Sequence, residues 1–150
     1  MWFLVLFFFG AAPAWAEDLG ELSANPFNPA STSNPFGAGS PFKSDGINNP
    51  FSPYGSPFSN QSATNPYATE APRLYDQQGN YHGKLSTNPY DPESTSNPYG
   101  RYGSPYSSDS IKNRFDAGNP YSPSSPTNPN GRAFELKDAD PAAEPLQVIS

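Results

Sequence analysis

No cysteine occurs among the 150 residues, and there is a single histidine, His82. The first absence removes disulfides, the usual support of small exported domains, and with them a cysteine-borne lipid anchor or a thiolate metal site. The second leaves Ser-His-Asp chemistry resting on one imidazole with no acid partner evident in the sequence. Aliphatic side chains are scarce as well: beyond residue 16 they are Leu19, Leu22, Ile47, Leu74, Leu85, Ile111, Leu136, Leu146, Val148 and Ile149. Each contributes about 1.5–3 kcal/mol when buried, against roughly 1–2 kcal/mol of backbone entropy for every residue ordered. Ten of them do not hold a conventional core. The eight Lys and Arg are dispersed, with no run longer than Lys112-Asn113-Arg114, which excludes the concentrated positive footprint of a nucleic-acid binder. Acidity is modest too, at a net charge of −6. Asp45-Gly46, Asp91-Pro92-Glu93 and Asp138-Ala139-Asp140 each supply too few ligands for calcium. No phosphate-cradling Gly-rich loop with Lys-Ser/Thr occurs. Neither a catalytic residue, a metal ligand nor a cofactor is assigned.

What is present begins with a targeting segment. Met1-Trp2-Phe3-Leu4-Val5-Leu6-Phe7-Phe8-Phe9 is an apolar run, and Ala14-Trp15-Ala16 supplies the small-x-small pattern of a signal peptidase site. The run is shorter than the roughly twenty residues a membrane span needs, and Pro13 lies near its end. Residues 1–16 therefore read as a signal peptide with a signal helix, cleaved to leave Glu17 as the new N-terminus and no membrane span. The mature chain keeps no Trp or Met.

The remainder is a sequence written twice. Residues 20–37 and 83–100 are identical at twelve of eighteen positions without a gap, from Gly20-Glu21-Leu22-Ser23 and Gly83-Lys84-Leu85-Ser86 to Gly37 and Gly100. With single-residue shifts the match continues through Gly39-Ser40-Pro41-Phe42 against Gly103-Ser104-Pro105-Tyr106 to Phe51 against Phe115. The period is near 63 residues.

Its unit is Asn/Ser-Pro-Phe/Tyr, found eleven times, beginning at Asn25, Asn34, Ser40, Asn49, Ser52, Ser56, Asn65, Asn88, Asn97, Ser104 and Asn119. Proline fixes φ and lacks an amide proton. It suits the second position of a β-turn, with Asn or Ser ahead of it capping through its side chain, and it disfavours helix at the residue before it. Each unit predicts a turn, and together they exclude long helices. Two stretches are more regular. Residues 73–85 place two strand-like segments around a Gly-containing loop and read as a β-hairpin, which needs the second copy, 83–130, packed on it for stability. Asn130-Gly131-Arg132-Ala133-Phe134-Glu135-Leu136-Lys137 reads as a turn leading into a strand. Residues 107–112 read as a single helical turn capped by Ser107 or Asp109, and His82 as a half-exposed hairpin residue.

The fold class expected is thus largely irregular, turn-rich and partly disordered, with a few short strands or hairpins. The expected organisation is a signal peptide at 1–16, a mostly disordered first repeat block at 17–72, a hairpin with a more ordered second block at 73–137, and a mobile tail at 138–150. Tyr90, Tyr99, Tyr106, Phe27, Phe36 and Phe51 of the turn units, with Tyr102 between two of them, are the candidate interaction residues. Asn60-Gln61-Ser62 is a formal N-glycosylation acceptor.

Three units, at Asn25, Asn34 and Asn49, spell Asn-Pro-Phe and resemble the core ligand of the EH domains of endocytic adaptors; the second copy departs from it with Asn-Pro-Tyr. The longer stretch Asn97-Pro98-Tyr99-Gly100-Arg101-Tyr102-Gly103-Ser104, within about 60 residues of similar pattern, resembles uncharacterised bacterial exported proteins with Asn-Pro-Tyr-Gly-x-Tyr-Gly-Ser repeats. Arg114 and Asp116 depart from that pattern, where it has Pro and Gly. No known activity attaches to the group. The resemblance implies an exported protein, periplasmic or extracellular. The resulting expectation is a non-enzymatic repeat protein with an envelope-associated structural or interaction role, its partner a protein or envelope component. The alternatives are a host-directed ligand presenting Asn-Pro-Phe turns and a small carbohydrate-binding surface of Tyr and Asn.

Overall fold

The computed structural model describes residues 17–131 and 133–139. The expected signal helix lies outside them, as does nearly all of the expected tail. Among the described residues there is no helix. Regular structure is confined to one antiparallel sheet of four short strands, β1 (Asp18–Leu22), β2 (Arg73–Tyr75), β3 (Tyr81–Lys84) and β4 (Phe134–Lys137), in the order β1-β4-β2-β3. Everything between is turns.

The turns form a continuous ribbon with a period of three. From Asn28 through Ser31, Asn34, Gly37, Ser40, Lys43, Gly46 and Asn49 to Ser52, each residue in the series accepts, at its C=O, the N–H of the next, over 2.9–3.4 Å. One extra residue, Gly55, interrupts the phase, which resumes at Ser56, Ser59 and Ser62. The second copy repeats this from Asp91 to Gly131, with its extra residue at Gly103. Local chemistry explains the choice of residues. The leading Asn, Ser or Asp accepts, through its side-chain oxygen, the N–H two residues on, as in Phe36 to Asn34 Oδ1 at 2.9 Å and Lys112 to Ser110 Oγ at 3.0 Å. The middle position is often Pro, which has no N–H to leave unpaired and a φ already set. Asparagine adds a brace, which Ser52 also makes through its Oγ to Gly46 O at 2.5 Å. The Nδ2 of Asn34, Asn49, Asn65, Asn97, Asn113 and Asn128 each donates to the C=O six residues back, at 2.8–3.2 Å.

This geometry turns the leading side chains inward. Ser31, Ser62, Ser94, Ser110 and Ser125 are buried, as are Asn49, Asn65 and Asn113. Burial of such groups is unfavourable without hydrogen bonds. Here the ribbon's own backbone supplies them: Ser31 Oγ donates to Ser23 O at 3.1 Å, and Ser94 Oγ to Ser86 O at 3.2 Å. The apolar core is correspondingly small, made of Leu19, Ile47, Tyr54, Leu74, Phe134 and Leu136, with Leu22, Leu85 and Ile111 packed against it.

The sheet carries a two-fold relation between the copies. Ala71-Pro72-Arg73-Leu74-Tyr75-Asp76 corresponds to Ala133-Phe134-Glu135-Leu136-Lys137-Asp138, and in the β2–β4 pairing Leu74 faces its own counterpart, Leu136. Each copy is strand, ribbon, strand. Its first strand, however, pairs with the last strand of the other copy: β1 with β4, β3 with β2. The hairpin expected at 73–85 is present and joins the copies, β2 closing the first and β3 opening the second. The outer edges are covered by the ribbons. Glu21 N–H donates to Ala30 O at 2.7 Å and its C=O accepts from Thr32 at 2.9 Å; Lys84 does the same with Glu93 and Thr95 at 2.8 and 3.0 Å. That close approach requires Gly20 and Gly83, at φ +107° and +93°, where a Cβ would fall 2.7 Å from Ala30 O or 2.6 Å from Tyr102 Cβ.

Residues 28–62 hold the same ladder as 91–131. One expectation changes. The helical turn at 107–112 is instead two ribbon turns, with Ser107 Oγ capping the Asp109 N–H at 3.3 Å and Ser110 N–H donating to Ser107 O at 3.2 Å. The three-residue period keeps each turn from continuing as a helix.

Candidate functional site

The third position of the ribbon points outward, and there the aromatics stand. Eleven large apolar side chains among the described residues are 85–95% exposed: Phe27, Phe36, Phe42, Phe51, Phe58, Tyr67, Tyr90, Tyr99, Tyr106, Phe115 and Tyr121. Every one has its backbone N–H bonded, at 2.9–3.2 Å, to the side-chain oxygen of the Asn or Ser two residues earlier. The rings are therefore displayed from fixed turns. Scattered single exposed apolar residues need no explanation, whereas this set recurs at one position of the ribbon.

Of the candidate residues, Phe27, Phe36, Phe51, Tyr90, Tyr99 and Tyr106 belong to this set. Tyr102 does not, being only 9% exposed. Its ring meets Tyr81 edge-on at 5.4 Å, and the Arg101 guanidinium lies 5.6 Å from its centroid. Tyr54 is buried likewise and donates its hydroxyl to Asp138 Oδ2 at 3.1 Å. These two tyrosines share a signal: each stands in Tyr-Gly-Ser-Pro, immediately before the extra glycine that breaks the triplet phase. Phe42, Phe58, Tyr67, Phe115 and Tyr121 complete the array without having been singled out. The spacing of the units Asn25, Asn34, Ser40, Asn49 and Ser52 in multiples of three places Phe42 with Phe27, Phe36 and Phe51 on the outward position.

The copies differ chemically. Phe27, Phe36, Phe42 and Phe58 of the first correspond to Tyr90, Tyr99, Tyr106 and Tyr121 of the second, while Phe51 matches Phe115. One copy presents mainly phenyl rings, with Tyr67 as its one exposed phenol among the described residues, and the other mainly phenols able to hydrogen-bond.

His82 is committed to structure. Its Nε2 lies 3.0 Å from Asp76 Oδ2, its Nδ1 3.4 Å from the Asp109 carbonyl, and its ring stacks on Phe134 at 4.3 Å. It is thus more buried than a half-exposed hairpin residue, and neither ring nitrogen faces a hydroxyl. Burial raises the Asp76 carboxyl, but hydrogen bonds from the Asn80 backbone, His82 and the Asn80 side chain outweigh it and hold the group below the usual carboxylate range. Asn60 spends its amide on Thr69, accepting from the Thr69 N–H at 2.9 Å and donating to Oγ1 at 2.8 Å. A recess of about 490 Å³ is shallow and lined by Leu19, Pro29, Ala30 and Phe36 with only Asp18 and Lys43 as charged groups. Among the described residues no group of three His, Cys, Asp or Glu could hold a metal ion, and no helix is long and apolar enough to cross a membrane.

Compared with protein-family models, curated proteins and solved structures, the chain matches none.

Proposed function

We propose that this chain is an exported, non-enzymatic display scaffold, envelope-associated and either periplasmic or extracellular, that engages its partner through many outward aromatic rings at once. The observation that carries this reading is the array of eleven exposed rings on side-chain-capped turns. Display of this kind lowers the entropy lost on binding, because the backbone under each ring is already held. It also spreads the binding energy: similar weak contacts act together through effective concentration, without a single hot spot. Co-sedimentation with purified envelope fractions tests it. Tyr99→Ala alone should weaken retention by less than about threefold, whereas Tyr90, Tyr99, Tyr106 and Tyr121 replaced together by Ala should weaken it by more than about tenfold. A quadruple variant that binds like the parent refutes the proposal.

A second reading is favoured by one feature, that Asn25-Pro26-Phe27, Asn34-Pro35-Phe36 and Asn49-Pro50-Phe51 are asparagine-capped turns with exposed Phe. On that reading the protein is a host-directed ligand for EH-type domains. Capture by an isolated EH domain would then depend on Phe27, Phe36 and Phe51 and ignore the tyrosines.

A further inference from the structure

The two copies begin alike. Asn80, the last residue of the hairpin loop, donates its N–H to Asp76 Oδ1 at 2.8 Å, and Asp76 returns its N–H to Asn80 O at 2.9 Å. The equivalent pair in the other half is Glu17 and Asp138. Glu17 N–H donates to Asp138 Oδ1 at 2.8 Å, and Asp138 N–H to Glu17 O at 3.0 Å. Glu17 is thus the counterpart of Asn80, and it is the residue that follows Ala14-Trp15-Ala16 in the sequence.

We propose that Asp138 is the acceptor for the α-ammonium group created at Glu17 when the chain is cleaved after Ala16, so that processing replaces an amide-to-carboxylate hydrogen bond beside β1 and β4 with an ion pair. The inference rests on the export reading above. Cleavage is hydrolysis of the Ala16–Glu17 amide by a signal peptidase. Water's hydroxyl goes to the Ala16 carbonyl, its proton to the Glu17 nitrogen, and a further proton from solvent makes the ammonium. The nitrogen keeps its place against Oδ1 and gains a full charge, a change that strengthens such a bond.

The surroundings suit a cation there. Asp138 Oδ2 already accepts from the Tyr54 hydroxyl, and the carboxyls of Glu17 and Asp45 share the region with Lys43 as the cation paired to Asp45. Lys137, across from Asp18 in β4, is turned to Glu135 at 3.4 Å. The Glu17 carboxyl is pushed up to about 7, first by its hydrogen bond to Asp45, then by burial and by the charges of Asp45 and Asp138. Negative charge is in excess where the new positive charge would form.

The test takes the exported protein in its processed form. Its intact mass should place the N-terminus at Glu17. Titration of the α-amine by NMR should then give a value above about 8.5 in the folded protein, against ~7.7–8.0 for a free chain end, and Asp138→Asn should return it to that range. Should Asp138→Asn fail to fold, selective acetylation of the α-amine reads the same bond. It should remove stability that is present below pH ~8 and fades as pH rises through the folded value. An N-terminus elsewhere overturns both the processing expectation and this proposal. An N-terminus at Glu17 whose amine titrates in the ordinary range, or whose acetylation leaves the pH dependence unchanged, overturns this proposal alone.

Discussion

Replacing Asn49 tests whether side chains, more than apolar burial, hold the ribbon. Asn49 is buried and makes both kinds of bond: its Oδ1 accepts the Phe51 N–H at 2.9 Å, and its Nδ2 donates to Lys43 O at 2.8 Å. Asn49→Ala removes both. The Lys43 carbonyl still accepts from Gly46 at 3.0 Å, so that half of the loss is worth about 1 kcal/mol, the net value of an ordinary hydrogen bond. The Phe51 N–H loses its side-chain acceptor, as a helix loses an N-cap, which adds about 1 kcal/mol. A total near 2 kcal/mol is a large part of a stability of about 5–15 kcal/mol. Asn49→Ser should restore only the cap, as at Ser40 and Ser56, and recover about 1 kcal/mol. Asn49→Asp keeps the cap but turns a carboxylate toward the Lys43 carbonyl, so it should fall between Ala and Ser at neutral pH. Urea unfolding of the four proteins gives the order, and hydrogen exchange at the Phe51 amide localises it. If Ala costs less than about 0.5 kcal/mol, or Ser is no better than Ala, the capping account fails.

Leu74→Ala and Leu136→Ala should each lose about 2–5 kcal/mol in denaturant unfolding. The two values should agree closely, since both residues are fully buried and face each other across the two-fold. Gly20→Ala should lower the melting temperature far more than Gly79→Ala: both have positive φ, but a Cβ at Gly20 meets Ala30 O and Ala38 Cβ at 2.7 Å, while at Gly79 nothing lies within 4 Å. Because the Glu17 carboxyl is raised from 4.5 to about 7 in the fold, its protonated form is the favoured one, and its contribution is full at low pH and fades as pH rises through that window. Glu17→Gln, which keeps a donor toward Asp45, should flatten the fall in stability across it; an unchanged slope counts against the Glu17–Asp45 hydrogen bond.

Elements with local signals were legible in the sequence. The hairpin announced itself by Gly79 between two strand-like segments, and β4 by the alternation after Asn130-Gly131. β1 was not foreseen, because Asp18–Leu22 is short, charged and interrupted by glycine. It is a strand only by virtue of β4, more than a hundred residues on. The ladder over residues 28–62 was not legible, because weighing aliphatic area against chain entropy leaves out what a regularly placed Asn or Ser can do for the backbone. Ser31, Asn34 and Asn49 supply hydrogen bonds where a larger protein would supply leucines. Tyr102 was misplaced for a related reason. Its tripeptide neighbours suggested outward display, but the extra Gly103 shifts the phase and turns the ring inward.

The exchange of strands between the copies sets an order on folding. The ribbon turns close over three residues and can form on the timescale of local structure, microseconds or faster. Neither copy, however, can complete its own sheet: β1 waits for β4, and the β2–β3 hairpin, though local, gains its third strand only when β4 arrives. The slow step is therefore a closure across nearly the whole described chain, carrying the entropy of a long loop. Until it occurs, both halves should coexist as coiled ribbons, a state with turns and no more sheet than the β2–β3 hairpin. Stability and speed are thereby separated, Asn and Ser governing the early ribbon and Leu74 with Leu136 the late closure. Substitutions at the two leucines should act mainly on unfolding, and those that loosen the ribbon on the rate of folding.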